Sequence, residues 1–159
     1  MNSRIPLNLS FSFSPQRYYR IGVSAFFFIQ GLTFATWASR IPDIKQMLQL
    51  SDGTLGLVLF ALPVGQLTAM GLSGYLVSRF GSKNTLTVAA CLYPAGLVLL
   101  GTVSSLWQLV AALFFFGVCG NLSNISINTQ GIGVERLYRR SIMASFHGVW
   151  SLAGFTGGI

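Results

Sequence analysis

The chain has 159 residues, of which 52% are hydrophobic and only 8% charged, with ten Lys and Arg against three Asp and Glu for a formal charge of +7. Its mean hydropathy is +0.64, whereas soluble domains carry about a quarter charged residues, so a water-soluble globule is excluded. A nucleic-acid binder is excluded as well, because the basic residues do not share one folded face but sort between apolar runs.

Residues 1–18 are polar, contain Arg4 and Arg17, and read as a cytoplasmic tail. Four charge-free stretches follow: Ile21 to Ser39, Gly53 to Ser78, Asn84 to Val134 and Ser141 to Ile159. A bilayer core about 30 Å thick needs about 20 apolar residues of helix, and every stretch reaches that length. The third, at about 51 residues, must fold back once, and Thr102-Val103-Ser104-Ser105 before Trp107 is the natural turn. The expectation is an all-α integral membrane protein with about five spans, over residues 20–39, 54–77, 84–102, 107–134 and 141–159. The runs are continuous rather than alternating, which favours helices over a barrel. The first is too long for the apolar part of a cleaved signal peptide. Pro42, in the segment Arg40 to Lys45, breaks the first helix, and Ser51-Asp52-Gly53-Thr54 caps the second. The fifth run stops at Gly157-Gly158-Ile159 without flanking charge, so the chain reads as cut within or at the end of that crossing.

With the N-terminus inside, the inner segments hold Arg4, Arg17, Arg20, Arg79, Lys83, Arg136, Arg139 and Arg140, and the outer ones only Arg40 and Lys45. This positive-inside bias predicts a cytoplasmic N-terminus. Tyr18, Tyr19, Trp37, Tyr75 and Trp107 fall where spans meet the interfaces. Cys91 and Cys119 lie inside spans without metal-ligand spacing and read as small core residues. The sequons at Asn8, Asn121 and Asn124 carry no weight, being cytoplasmic or intramembrane in this topology.

Span four carries the densest polar signal, from Asn121 through Ser123, Asn124, Ser126, Asn128 and Thr129 to Gln130. At 100° per residue, Asn121, Asn124 and Asn128 fall in a sector of about 60° and form one stripe. Such a stripe is either interhelical glue or the wall of a cavity whose amides bind a polar solute, with Gln30 and Thr33 of span one as companions. His147 is the one ionisable side chain placed inside a span. It lies at the depth of Asn128, within reach of a hydrogen bond, and reads as a packed neutral histidine or as a proton-responsive gate.

The loop after span two matches G-x-L-x-D-R-x-G-R-K at Gly74, Leu76, Arg79, Gly81 and Lys83, with Ser78 for the aspartate and Ser82 for the second arginine. In its position between spans two and three it resembles the loop signature of the major facilitator superfamily (MFS). Trp37-Ala38-Ser39-Arg40-Ile41-Pro42, Val134-Glu135-Arg136 and Ser145-Phe146-His147-Gly148 resemble its fucose-permease-like branch. The resemblance implies twelve spans in two six-helix halves, with spans one and four of each half lining a central cavity. This chain would then be an incomplete N-terminal half, with the missing C-terminal half as its partner. The loop would help latch the halves, and the lost aspartate weakens that charge network. Relatives in the branch often carry an acid at the position matched by Asn124. No carboxylate is intramembrane here, which makes proton symport less secure than transport itself.

The leading expectation is a secondary transporter of a small polar solute, sugar-like, working by alternating access in the inner membrane of a bacterium, with the bilayer and the solute as partners. One histidine and three acids on two sides offer no catalytic or metal constellation, so neither an enzyme nor a metal or other cofactor is expected. A non-transporting remnant or sensor-like membrane protein is the alternative. Gly154-Phe155-Thr156-Gly157-Gly158 lacks the proline of the antiporter signature and reads as close helix packing, which disfavours drug efflux.

Overall fold

The computed structural model describes residues 14–158, so the expected tail over residues 1–13 and the final Ile159 lie outside the described residues. The described chain is all helical: α1 (Pro15–Ser39), α2 (Ile41–Met47), α3 (Asp52–Leu59), α4 (Ala61–Phe80), α5 (Ser82–Gly101), α6 (Leu106–Tyr138) and α7 (Met143–Gly157). Four stretches are long and apolar enough to cross a membrane: Pro15–Met47, Asp52–Phe80, Ser82–Gly101 and Leu106–Tyr138. The fifth expected span corresponds to α7, whose 15 described residues reach only about 22 Å at 1.5 Å each. Within the described residues the count of full-length candidates is therefore four. Large side chains face outward, with Leu57 80% and Phe155 71% exposed, a surface that suits lipid rather than water.

Proline sets two of the breaks. Pro42 does not simply end the first helix. It sits in the first turn of α2, where its missing N–H costs nothing, and Arg40 joins α1 to α2 as a shared cap. The second expected span is likewise two helices, α3 and α4, meeting at Phe60. Pro63 cannot donate to the carbonyl four residues back, and it falls in the first turn of α4. Ser51 accepts from the backbone N–H of Thr54 and caps α3.

The helices close most tightly where α4 meets α6, α1 meets α7 and α5 meets α6. The first two pairs run parallel and touch through glycine. A Cβ on Gly65 would stand 2.2 Å from the Phe114 carbonyl oxygen, one on Gly117 2.2 Å from that of Leu62, and one on Gly31 2.4 Å from that of Trp150. Small residues at such crossings let backbones approach and gain dispersion where lipid offers no hydrophobic drive. Gly157 also abuts Leu32 and Ala35, while Gly154 faces open space.

Two apolar cores result. One, around Trp37, Leu100, Leu109, Leu113 and Phe116, lies toward the end of the bundle that carries Arg40. The other, around Phe27, Leu86, Ile127, Val134 and Phe146, lies toward the end that carries Gly81.

Candidate functional site

Between the two cores opens a cleft of about 420 Å³, lined by Phe27, Gln30, Phe34, Gln66, Tyr93, Gly120, Asn121, Asn124, His147 and Trp150. Three helices supply residues from near their middles: Gln30 on α1, Tyr93 on α5, Asn121 and Asn124 on α6. Gln66 stands midway along the Asp52–Phe80 stretch, and His147 and Trp150 come from α7. The lining holds four amides and four aromatic rings but no Lys, Arg, Asp or Glu.

The amides are not equivalent. Gln30 is buried. Asn124 is tied to its own helix, since Asn128 donates through Nδ2 to the Asn124 carbonyl oxygen at 2.8 Å and to its Oδ1 at 3.2 Å. Asn121 Oδ1, by contrast, is buried with no hydrogen-bond partner among the described residues. An unpartnered buried acceptor costs about 1 to 3 kcal/mol, and a turn of the Asn121 amide that brings Oδ1 to the cleft surface would let a solute donor remove that cost. Around the amides stand the rings. Phe27 stacks on Phe146 at 5.4 Å and meets the His147 ring edge-on at 5.3 Å, while Phe34 lies 6.0 Å from Trp150. Tyr93 stacks on Phe116 at 4.4 Å, which holds the Tyr93 ring against the Gly120 backbone at the cleft wall.

Of the sequence-derived candidates, Gln30, Asn121, Asn124 and His147 come together in this cleft. Asn128 and Thr33 do not line it. Asn128 spends its amide on Asn124 rather than on His147, and Thr33 is buried with its hydroxyl donating to the Ile29 carbonyl at 2.8 Å. Gln66 and the aromatic lining were absent from the sequence reading. A lone amide at the centre of an apolar span was the available signal for Gln66. None existed for Phe27, Phe34 or Tyr93, whose ring types suit lipid, core and cleft alike.

The loop candidates occupy the Gly81 end. Gly81 takes φ +80° between α4 and α5, a conformation that glycine reaches without strain. Gly74 faces open space, so no close helix approach explains it among the described residues. Leu76 is half-buried and its carbonyl accepts from Thr85, while Arg79 and Lys83 are exposed. At the two departures from the motif, Ser78 donates to the Tyr75 carbonyl at 2.9 Å and Ser82 accepts from Gln130 Nε2 at 2.7 Å. The second of these joins the loop to α6 without any charge.

Membrane proteins and transporters match most of the chain. An uncharacterized MFS-type transporter of Yersinia pestis is 33% identical over 131 residues, 82% of this chain and 34% of its own length. The chain is an integral membrane protein related to MFS-type transporters. It spans about a third of the length of that relative. Shorter matches carry the names of two cargoes. An arabinose-proton symporter of Bacillus subtilis is 31% identical over 94 residues, 59% of this chain and 19% of its own length. A vacuolar membrane amino acid uptake transporter of Schizosaccharomyces pombe is 34% identical over 92 residues, 55% and 16% respectively. No family model and no solved structure matches the chain. The relatives are named as transporters rather than as enzymes.

Proposed function

We propose that the chain forms the N-terminal part of a secondary transporter of the major facilitator superfamily, in its fucose-permease-like branch, moving an uncharged small polar solute by alternating access. In this reading the N-terminus is cytoplasmic, the membrane is the inner membrane of a bacterium, and a C-terminal half completes the cavity. The cleft of α1, α4, α5, α6 and α7 is then one wall of a midplane solute site, the place where such transporters bind their cargo.

The observation that carries the reading is the buried, unpartnered Oδ1 of Asn121 in a cleft that has amides and rings but no formal charge. Amides of Gln30, Gln66 and Asn124 both donate and accept, which suits hydroxyl-bearing or amide-bearing solutes. The rings of Phe34 and Trp150 offer apolar faces to a solute with a C–H or planar face. A fixed charge on the solute would meet no counter-charge from this half, at a desolvation cost that neutral solutes avoid.

His147 is the proposed site of any proton response. It lines the cleft against the edge of Phe27, with Tyr93 as the other titratable group in the lining. Coupling through it predicts that His147→Gln alters the pH dependence of uptake; an unchanged profile would exclude the role. The broader reading is tested by uptake of labelled neutral sugars, amino acids and sugar phosphates into vesicles holding the full-length protein, with and without a proton gradient. Neutral polyols or sugars should be taken up and sugar phosphates should not. Uptake of none of them, or preference for the phosphates, would sink the proposal.

A further inference from the structure

The chain has only three carboxylate side chains, and all are committed. Asp43 pairs with Arg40 at 3.2 Å, Asp52 pairs with Lys45, and Glu135 is turned onto the start of α7. There Glu135 accepts the backbone N–H groups of Ile142 and Met143 at 2.8 Å each, and the Ser141 hydroxyl at 3.3 Å. The Gly81 end nevertheless gathers Arg17, Arg20, Arg79, Lys83, Arg136, Arg139 and Arg140, none of which makes an ion pair among the described residues.

Two of these cations share one aromatic ring. The Arg20 guanidinium lies 5.6 Å and that of Arg140 6.0 Å from the centroid of the same Tyr138 ring. Arg20 also donates to the Ser145 hydroxyl at 3.3 Å, so it is pinned between α1, α6 and α7. Two like charges around one ring gain from an anion that both can reach. Beside them the surface is apolar and aromatic: Ile21 and Leu137 are exposed, as are Tyr18 and Tyr19, rings that favour the headgroup level of a bilayer.

We infer that the Arg20–Tyr138–Arg140 cluster binds the phosphate of an anionic phospholipid whose acyl chains run along Ile21 and Leu137. Guanidinium groups match phosphate oxygens bidentately, and basic pockets between spans are a recognised headgroup site. A free phosphate would satisfy the cations but not use the apolar surface beside them.

The test uses the full-length protein in dodecyl maltoside, with native mass spectrometry and thermal unfolding as readouts. Phosphatidylglycerol should be retained in preference to phosphatidylcholine and should raise Tm, while inorganic phosphate at equal concentration should not. Each lost guanidinium–phosphate contact should cost about a fivefold change in binding, so R20Q/R140Q should weaken phosphatidylglycerol about 25-fold. The variant R79Q/K83Q, which removes equal charge from the loop, should stay within about twofold if the cluster rather than net charge is read. Equal retention of the two lipids by the unaltered protein would overturn the proposal, and that arm needs no variant to fold. So would equal stabilisation by inorganic phosphate, or equal losses in the two double variants.

Discussion

Two regions of α6, one turn apart, have opposite characters. At Gly117 the helix is pressed onto α4 so closely that a single added carbon would overlap the Leu62 carbonyl. At Asn121, four residues on, it faces a cleft and leaves an acceptor unpartnered. The same change of character occurs on α4 between neighbours, since Gly65 meets the Phe114 carbonyl while Gln66 lines the cleft. A tight crossing beside an open polar wall holds the amides in fixed positions, which a binding site requires and which loosely packed helices would not provide.

The contrast can be broken from either side. The largest effect is expected at the crossing: Gly117→Val should destabilise by about 3 kcal/mol or more, because the obstacle is backbone that cannot step aside. Loss of folded yield and a lowered Tm in detergent would register it. Next is Glu135→Ala, which strips three acceptor contacts from the start of α7 and should lower Tm by less than the crossing variant, with Asp43→Ala as the mild control. In the open region the order reverses. Asn121→Ala and Gln66→Ala should each lower apparent solute affinity about tenfold without lowering Tm, as expected when a polar contact to solute is lost and no packing is disturbed. The smallest effect belongs to Lys45→Ala. Its ion pair with the exposed Asp52 should leave Tm almost unchanged when lost and should fade in salt.

How far each region was legible in the sequence follows from the same physics. Amides within an apolar run are conspicuous, since lipid cannot satisfy them, and Asn121, Asn124 and Gln30 stood out for that reason. Asn128 and Thr33 stood out equally but are satisfied within their own helices, a choice of rotamer that spacing does not reveal. Phe34, Tyr93 and Trp150 were invisible because a bilayer accepts an aromatic ring on any face. The tight crossings were hidden too: Gly65 of α4 and Gly117 of α6 touch carbonyls, while Gly71 and Gly74, also on α4, face open space. Only the three-dimensional register separates a glycine that admits a backbone from one that does not. The four long apolar stretches were readable from charge spacing together with the polar turn at Thr102 to Ser105, whereas the breaks at Phe60 and Arg40 needed the position of each proline within its turn.

The central claim is that the mid-height cleft, and not another surface of the bundle, receives the solute. Trp150 lies in its lining, Trp37 is in a core and Trp107 is exposed at the Arg40 end. In full-length protein carrying W37F, W107F and Phe for any tryptophan elsewhere in the chain, Trp150 becomes the sole reporter. A solute that the protein transports should change the Trp150 emission in a saturable way, and Asn121→Ala should shift that titration about tenfold weaker. Saturable uptake with no change in Trp150 emission would contradict the account.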